Sequence, residues 1–507
     1  MRRLLSLLLC AGVVLCLFSG CGPEESPYVP TGDALDDEPS EQIGVDKTDD
    51  PQQIALTYYP DRSLNPYQAT DITNRTLFSL VYQGLFTVDR EYNCSPVLCK
   101  KFNVSADMKT YTFYLEKALF SDGTALTAAD VVASLKAAQD SAWYGGRLRH
   151  VQSVSNYGDA VVVELDTAME NLPILLDIPI VKASEVSSAQ PLGTGPYRME
   201  AHQLRRQAGW WCSAELSFQF DTIPLVEAES VSQIRDCFEF GTVSLVCSNP
   251  GDRDYVEFHS DHELWDCENG LFLYLVCNTE SLIFSNAAIR SALTHAIDRD
   301  ALVDSVYHGF AYSATLPASP LSPFYNSSLA SKYGYAPQLF REAVEESGIT
   351  ELSVTLLLNA DDPARVKAGQ AIADMLTECG FTVTITKATG DNFVLLLKKG
   401  QYDLYLAQTR LSANMDLSAF YALKGSLNYG GLTNASLEAL SLEALANSGN
   451  YYTLHEMVME DGQLCPILFQ SNAIYIRRGA ISGLKPARDA VFYYDLGRTM
   501  ADALMSE

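Results

Sequence analysis

Residues 352–363 read LSVTLLLNADDP, residues 381–386 read FTVTIT and residues 402–407 read YDLYLA. The first run, Leu352 to Leu358, has the apolar, branched character of a buried strand. Asp362 followed by Pro363 is an N-cap followed by a first helical residue. Val366, Gly369, Ile372, Ala373 and Leu376 then fall on one helical face, and Gly380 ends the helix. Phe381 to Thr386 is a second strand. Phe393 to Lys399 is a short helix closed by Gly400, and Tyr402 to Ala407 is a third strand, ending at Gln408. Strand, helix, strand, helix, strand with short links requires parallel pairing, so this part of the chain is an α/β lobe.

Upstream the same alternation continues. Ile54 to Tyr59 alternates as a strand, and Arg75 to Tyr82 reads as a helix ending near Gly84. Thr110 to Leu115 alternates as Thr-Tyr-Thr-Phe-Tyr-Leu, and Asp122-Gly123 marks a turn. Thr127 with Asp130 forms a capping box for a helix whose stripe is Val131, Val132 and Leu135. Ser285 is placed to cap a helix carrying Ile289, Leu293 and Ile297. Asp298 restarts a helix through Leu302 and Val306 to Gly309. The chain has no internal repeat.

The N-terminus has the layout of an export signal. Arg2 and Arg3 precede an apolar run from Leu4 to Phe18, too short to span a bilayer comfortably. Leu17-Phe18-Ser19-Gly20-Cys21 resembles the bacterial lipobox. That resemblance implies cleavage after Gly20 and lipid attachment at Cys21. Residues 21–50 hold ten acidic residues against Lys47, with Pro23, Pro27, Pro30 and Pro39. Such a segment cannot bury enough apolar surface to fold and reads as an acidic, disordered tether. No later stretch reaches transmembrane length without charges, so the body is expected to be held by lipid alone, through more than one acyl chain.

The net charge is −28 over 507 residues; residues 21–50 carry −9 and the first twenty +2, leaving −21 for the rest. Nucleic-acid phosphates would be repelled by such a body. Its length exceeds one simple core and implies two or three subdomains. Nine of the twelve cysteines lie beyond Cys21. Nine is odd, so at least one is a thiol. Cys94 and Cys99 are close enough to pair across a turn, while Cys277 and Cys379 read as small core residues. No cysteine or histidine spacing suggests zinc. His259 and His262 sit in a polar stretch that reads as a solvated turn, and no cofactor motif is present.

Three groups of motifs point to one family. The first comprises Asn65-Pro66, Leu80-Val81-Tyr82-Gln83-Gly84-Leu85-Phe86, Tyr111-Thr112-Phe113-Tyr114-Leu115, and Phe120-Ser121-Asp122-Gly123 with Leu126 to Val131. The second is Gly193-Thr194-Gly195-Pro196-Tyr197. The third is Asn286 to Ala301, with Ile289-Arg290 and Ala296-Ile297-Asp298-Arg299. In this order, from about residue 52 to the C-terminus, they resemble the family 5 extracellular solute-binding proteins, the oligopeptide-, dipeptide- and nickel-binding subunits of ABC importers. The resemblance implies a type II periplasmic-binding fold of two lobes joined by a hinge, plus an inserted third domain. Lobe I would comprise residues 51–85, 191–278 and 471–507, the inserted domain 86–190, and lobe III 279–470. The ligand would sit between lobes I and III, and the closed form would be presented to a permease. A monomer is the family expectation. The motifs themselves read as structural: Gly84 and Gly195 as tight turns, Asp130 as a cap.

Ligands of open α/β sheets bind beyond the carboxyl ends of strands. The residues after Gln408, from Thr409 to Asp416, are therefore the pocket candidates. In peptide-binding relatives this loop carries a Trp and an Asp that pairs with the ligand's α-amino group. Here that Asp aligns with Ser412 or Ala413, neither acidic, and Asp416 falls near the motif's second acidic position. Arg410 is the candidate to hold a carboxylate or phosphate, or else a surface arginine or a partner of Asp416. Ser412, Asn414 and Asp416 are further candidates, with Tyr429 as a stacking residue in Asn428-Tyr429-Gly430-Gly431. Thr70 and Gln470 occupy places where relatives line the cleft. Of Tyr58 and Tyr59, at the end of a lobe I strand, one should face inward.

The chain lacks a Gly-x-Ser-x-Gly elbow, a His-Glu-x-x-His and any Ser/His/Asp set in context, so it is not read as an enzyme. The expected partners are a peptide or similar small polar solute, ABC permease subunits, and the membrane through lipidated Cys21. The alternative is a ligand-sensing or adhesive lipoprotein of the same fold without a permease.

Overall fold

The computed structural model describes residues 54–212, 220–253, 255–480, 485–488, 491–493 and 496–505. The export signal, the acidic tether and Cys21 lie outside the described residues.

The three strands that decided the fold class form as Ser353–Asn359, Thr382–Ala388 and Leu404–Arg410. They pair in parallel, with Leu356 opposite both Ile385 and Leu404. Between the first two runs the helix Pro363–Glu378; its N-cap Asp362 accepts from the Arg365 amide at 3.0 Å. Its inward face, Ala368, Gly369, Ile372, Ala373 and Leu376, is buried against Leu356 and Leu358. Gly369 sits where a Cβ would come within 2.4 Å of Leu358, so helix and sheet approach closely there.

This parallel unit is one end of an eleven-stranded sheet. Its centre is two long antiparallel strands, His262–Cys277 and Leu464–Arg477. One end of the pair, Leu271 to Cys277, hydrogen-bonds to Leu404–Arg410. The other end leads through Leu245–Ser248 to Leu56–Tyr58 and Thr222–Glu227. The ladder between the long strands slips between Glu268 and Phe272. Gly270 lies there with φ +75°, a conformation that suits glycine. The two halves of the molecule are thus joined through a bulged pair of strands.

A separate four-stranded antiparallel sheet lies between residues 99 and 165, in the order Cys99–Val104, Thr110–Leu115, Ala160–Leu165, Val151–Tyr157. The helix Ala128–Gln139 covers it, with the expected Thr127–Asp130 capping box. Phe86, Phe102, Tyr111 and Phe113 pack its inner face with ring centroids 5.8–6.4 Å apart.

Several local expectations shift. The helix expected from Arg75 runs Ile72–Val81, because Asp71 accepts from the Asn74 amide at 3.1 Å and starts it earlier. The helix near 286 is capped by Asn286, whose side chain holds the Ala288 amide; the Ser285 hydroxyl bonds back to the Leu282 carbonyl instead. The third parallel strand continues past Gln408 to Arg410, because Leu271–Gly270 offers it a partner. Gly84 and Gly195 are not left-handed turn residues. A Cβ on Gly195 would lie 2.5 Å from the Leu80 carbonyl oxygen, and one on Gly84 2.8 Å from that of Phe86. Close backbone approach is what requires glycine at both. All nine cysteines beyond residue 21 are thiols, Cys94 and Cys99 included, and Cys277 and Cys379 are buried as expected.

Candidate functional site

The Leu404–Arg410 strand delivers its last side chains to the seam where the two halves of the sheet meet. Arg410 donates to the Asn269 carbonyl at the bulge of the long strands. Its guanidinium also lies 3.9 Å from the ring centroid of Trp143. Arg75, from the Ile72–Val81 helix, lies 3.8 Å from the same centroid. Both guanidiniums therefore pack against the same indole. Arg75 is 5% exposed, and its Nη atoms bond to the Pro66 and Ala69 carbonyls and to the Tyr144 hydroxyl. Its Nε and the Trp143 Nε1 are buried donors without a partner. Carbonyl dipoles and the faces of Trp143, Phe78 and Tyr144 compensate the Arg75 cation.

Beside this stack, Gln470 donates to Gln408 at 2.9 Å and to the Tyr307 hydroxyl at 3.5 Å. A Cβ on Gly251 would lie 3.2 Å from Gln470, so the 249–252 turn closes over this group. Tyr59 is buried with its ring under the Arg62 guanidinium at 3.7 Å, and Arg62 pairs with Asp71. Tyr58 is buried on the other side of the same strand, donating to Glu227 at 2.9 Å; burial, then that carboxylate, raise its pKa. Both tyrosines therefore point into packed surroundings. Thr70 is exposed just before the helix cap.

The loop 411–418 starts with the Leu411 amide bonded to the Gly270 carbonyl and is buried throughout. Met415 holds φ +53°, a strained conformation for a non-glycine residue that only surrounding structure can maintain. Ser412 donates to the Asn414 side-chain oxygen at 2.7 Å, and the Asn414 amide reaches the Met169 sulfur at 3.8 Å. Tyr451 donates to the Asn414 carbonyl. Asp416 is 3% exposed and is held by His150 Nε2 at 3.1 Å, Arg149 Nε at 3.6 Å and the Ser418 amide at 2.8 Å. Burial alone would raise its pKa. The His150 hydrogen bond and the charges of Arg149 and His150 outweigh that and lower it to about 2. Asp416 pairs with Arg149 and His150, and not with Arg410. Tyr429 is half-buried against the core in its Gly-Gly turn, away from this loop's contacts.

The structure thus brings Arg410 and Gln470 to the seam. It places Asn414 against Met169 and Asp416 against Arg149 and His150, with Ser412 bonded to Asn414, while Thr70 is exposed before the helix cap and Tyr429 is half-buried in its Gly-Gly turn. Trp143, Arg75, Arg149 and His150 escaped the sequence reading. Each is an isolated residue whose meaning comes from a partner between 68 and 267 positions away, so no local spacing marks it. Among the described residues no group of three or more His, Cys, Asp or Glu could hold a metal ion, and no helix is long and apolar enough to cross a membrane.

Residues 93–431 match the family model described as bacterial extracellular solute-binding proteins, family 5 Middle. The glutathione-binding protein GsiB of Escherichia coli (strain K12) is 25% identical over 353 residues, which is 64% of this chain and 67% of that protein. Among solved structures, the ABC transporter substrate-binding protein CtaP of Listeria monocytogenes superposes with a TM-score of 0.69 at 19% identity, covering 87% of this chain and 97% of that one. The protein AppA of Clostridium difficile gives 0.71 at 17% identity, covering 87% and 99%. At these identities the structural likeness establishes the fold, the multi-domain type II periplasmic solute-binding architecture.

Proposed function

Because the chain belongs to the family 5 extracellular solute-binding proteins, whose members bind solutes and are not enzymes, we propose that it is the lipid-anchored, extracytoplasmic binding subunit of an ABC importer. It captures a peptide or similar small polar solute between lobe I and lobe III and hands it to a permease. The lobes swing about the bulged strands at Gly270, residues 86–190 forming the inserted domain.

The observation that carries the ligand class is the state of the 411–418 loop. Its one carboxylate, Asp416, is already neutralised by Arg149 and His150. The loop has no acid left for a ligand ammonium, whereas Arg410 brings a guanidinium to the end of the adjoining strand beside Trp143. A solute engaged through a carboxylate suits that arrangement. Glutathione, named for the relatives, is a peptide with two carboxylates and is the first probe.

Native mass spectrometry of residues 51–507, followed by thermal shift with glutathione and a peptide library, tests this. A ligand that binds only the folded state raises the melting temperature. A ligand whose shift disappears in Arg410→Ala supports the reading. A ligand bound undiminished by that variant refutes the carboxylate role, and no shift with any peptide or metabolite refutes solute capture and leaves the sensing or adhesive reading. Anchoring is tested by incorporation of an alkyne-tagged fatty acid into the wild type and not into Cys21→Ser.

A further inference from the structure

We infer that Arg149 and His150 are positioning residues for the 411–418 loop, clamping Asp416 so that the loop's seat against the inserted segment depends on a proton carried by His150. The inference deepens the solute-binding reading and rests on it only for its consequence.

The geometry requires the proton. His150 Nδ1 lies 2.9 Å from Asp166, at the end of the Ala160–Leu165 strand, and Nε2 lies 3.1 Å from Asp416. A neutral imidazole donates from one nitrogen only, so its other lone pair would face a carboxylate oxygen. The imidazolium alone satisfies both contacts. The Ser418 hydroxyl, 3.2 Å from Nε2, can donate to a neutral ring, but Asp416 then faces a lone pair. The charged groups around the ring are Asp166, Asp416 and Arg149, with Lys424 and Glu438 lining the same crevice. Burial pulls the imidazole pKa down. The hydrogen bond and charge of Asp416, then those of Asp166, outweigh burial and hold it above the ordinary 6.5.

A raised histidine pKa contributes stability that is complete below the ordinary value and lost as pH rises through the raised one. Asp416, lowered to about 2, stays ionised across that range. The clamp is therefore charged on both sides in mildly acidic medium and loosens toward alkaline pH.

The same contact carries further bonds: Glu170 N–H donates to the Leu445 carbonyl at 2.8 Å, and the Ser448 amide donates to the Glu170 carboxylate at 2.9 Å. These bonds do not titrate with His150, so the interface persists while the loop loosens.

Hydrogen exchange of residues 52–507, which form one compact unit, tests the clamp without any ligand. Backbone amides in 411–421 are followed at about pH 6 and about pH 8.5 after correction for intrinsic exchange. Wild-type protection should fall about tenfold between the two, the scale of one charge-assisted hydrogen bond. His150→Gln, which can donate but cannot charge, should be flat with pH at the low level, and Ala160–Leu165 should be unchanged. Asp416→Asn combined with His150→Gln should be no worse than Asp416→Asn alone, which already removes the Arg149 contact as well. Wild-type pH dependence retained in His150→Gln, additive effects of the two changes, or loss of protection spread evenly over the fold would each overturn the clamp. If no solute is ever found, the functional reading fails while the exchange result stands.

Discussion

Arg410 and Trp143 are 267 residues apart in the chain, yet the guanidinium of one lies 3.9 Å from the ring centroid of the other. The contact joins the end of the Leu404–Arg410 strand to the segment that follows the Ala128–Gln139 helix. Removing the cation in Arg410→Ala should cost stability by about 0.5–2 kcal/mol, the range of one cation–π contact. Trp143→Ala removes the platform for Arg75 as well and should cost about 3 kcal/mol. Urea unfolding checks both. Arg410→Lys should preserve stability better than it preserves binding, since an ammonium lacks the planar fork; equal losses would remove Arg410 from solute recognition.

The Gly-Thr-Gly-Pro-Tyr motif is a packing device. A Cβ at Gly195 meets main-chain atoms of Leu80 and Val81 within 2.7 Å. Gly195→Ala should destabilise by about 3 kcal/mol, because backbone on the neighbouring helix cannot rotate away. Gly123, at φ +84°, has open space around its missing Cβ, so Gly123→Ala meets only conformational strain of about 1–2 kcal/mol. Denaturant midpoints of the two variants should separate in that order.

Asp130 does more than cap its helix. It accepts from the Thr127 amide at 2.9 Å and its hydroxyl at 2.6 Å, and its other oxygen accepts from the Ala183 amide at 2.8 Å. Asp130→Ala should cost about 2–3 kcal/mol, beyond the ~1 kcal/mol of an ordinary cap. Thr127→Ala, which leaves the Ala183 bond in place, should cost less. Thermal unfolding that ranks them the other way would assign the stability to the cap alone.

His455 is fully buried, and neither ring nitrogen has a partner. Burial lowers its pKa to about 3. The unfolded chain takes up a proton near pH 6.5 that the folded chain refuses, so the contribution is complete above that pH and lost as pH falls toward 3. Each unit in that window costs about 1.4 kcal/mol. In His455→Phe this part of the acid sensitivity should vanish, read as a shallower slope of unfolding free energy against pH.

Much of the fold was legible because it is written in local patterns. The 352–407 run alternates strand and helix with its own N-cap and glycine stop, so its parallel pairing followed from chain geometry. The Thr127–Asp130 box and the Asp298 cap formed as read. The misplaced starts at Asp71 and Asn286 arose because neighbouring polar residues compete for the same amides, and only the settled backbone chooses between them.

The site was legible only in part. By itself, the sequence determined the α/β class, the family, and the absence of an acid at Ser412 and Ala413, because each depends on residue type and order along the chain. Tertiary structure alone decided what the charged side chains do. Arg410 could have paired with Asp416 six residues on; instead it stacks on Trp143, and Asp416 is held by Arg149 and His150. Electrostatic and stacking energies fall steeply with distance in space and are indifferent to distance in sequence. Which cation meets which anion was therefore fixed only when residues 143–150 packed against the end of the Leu404–Arg410 strand and the loop after it.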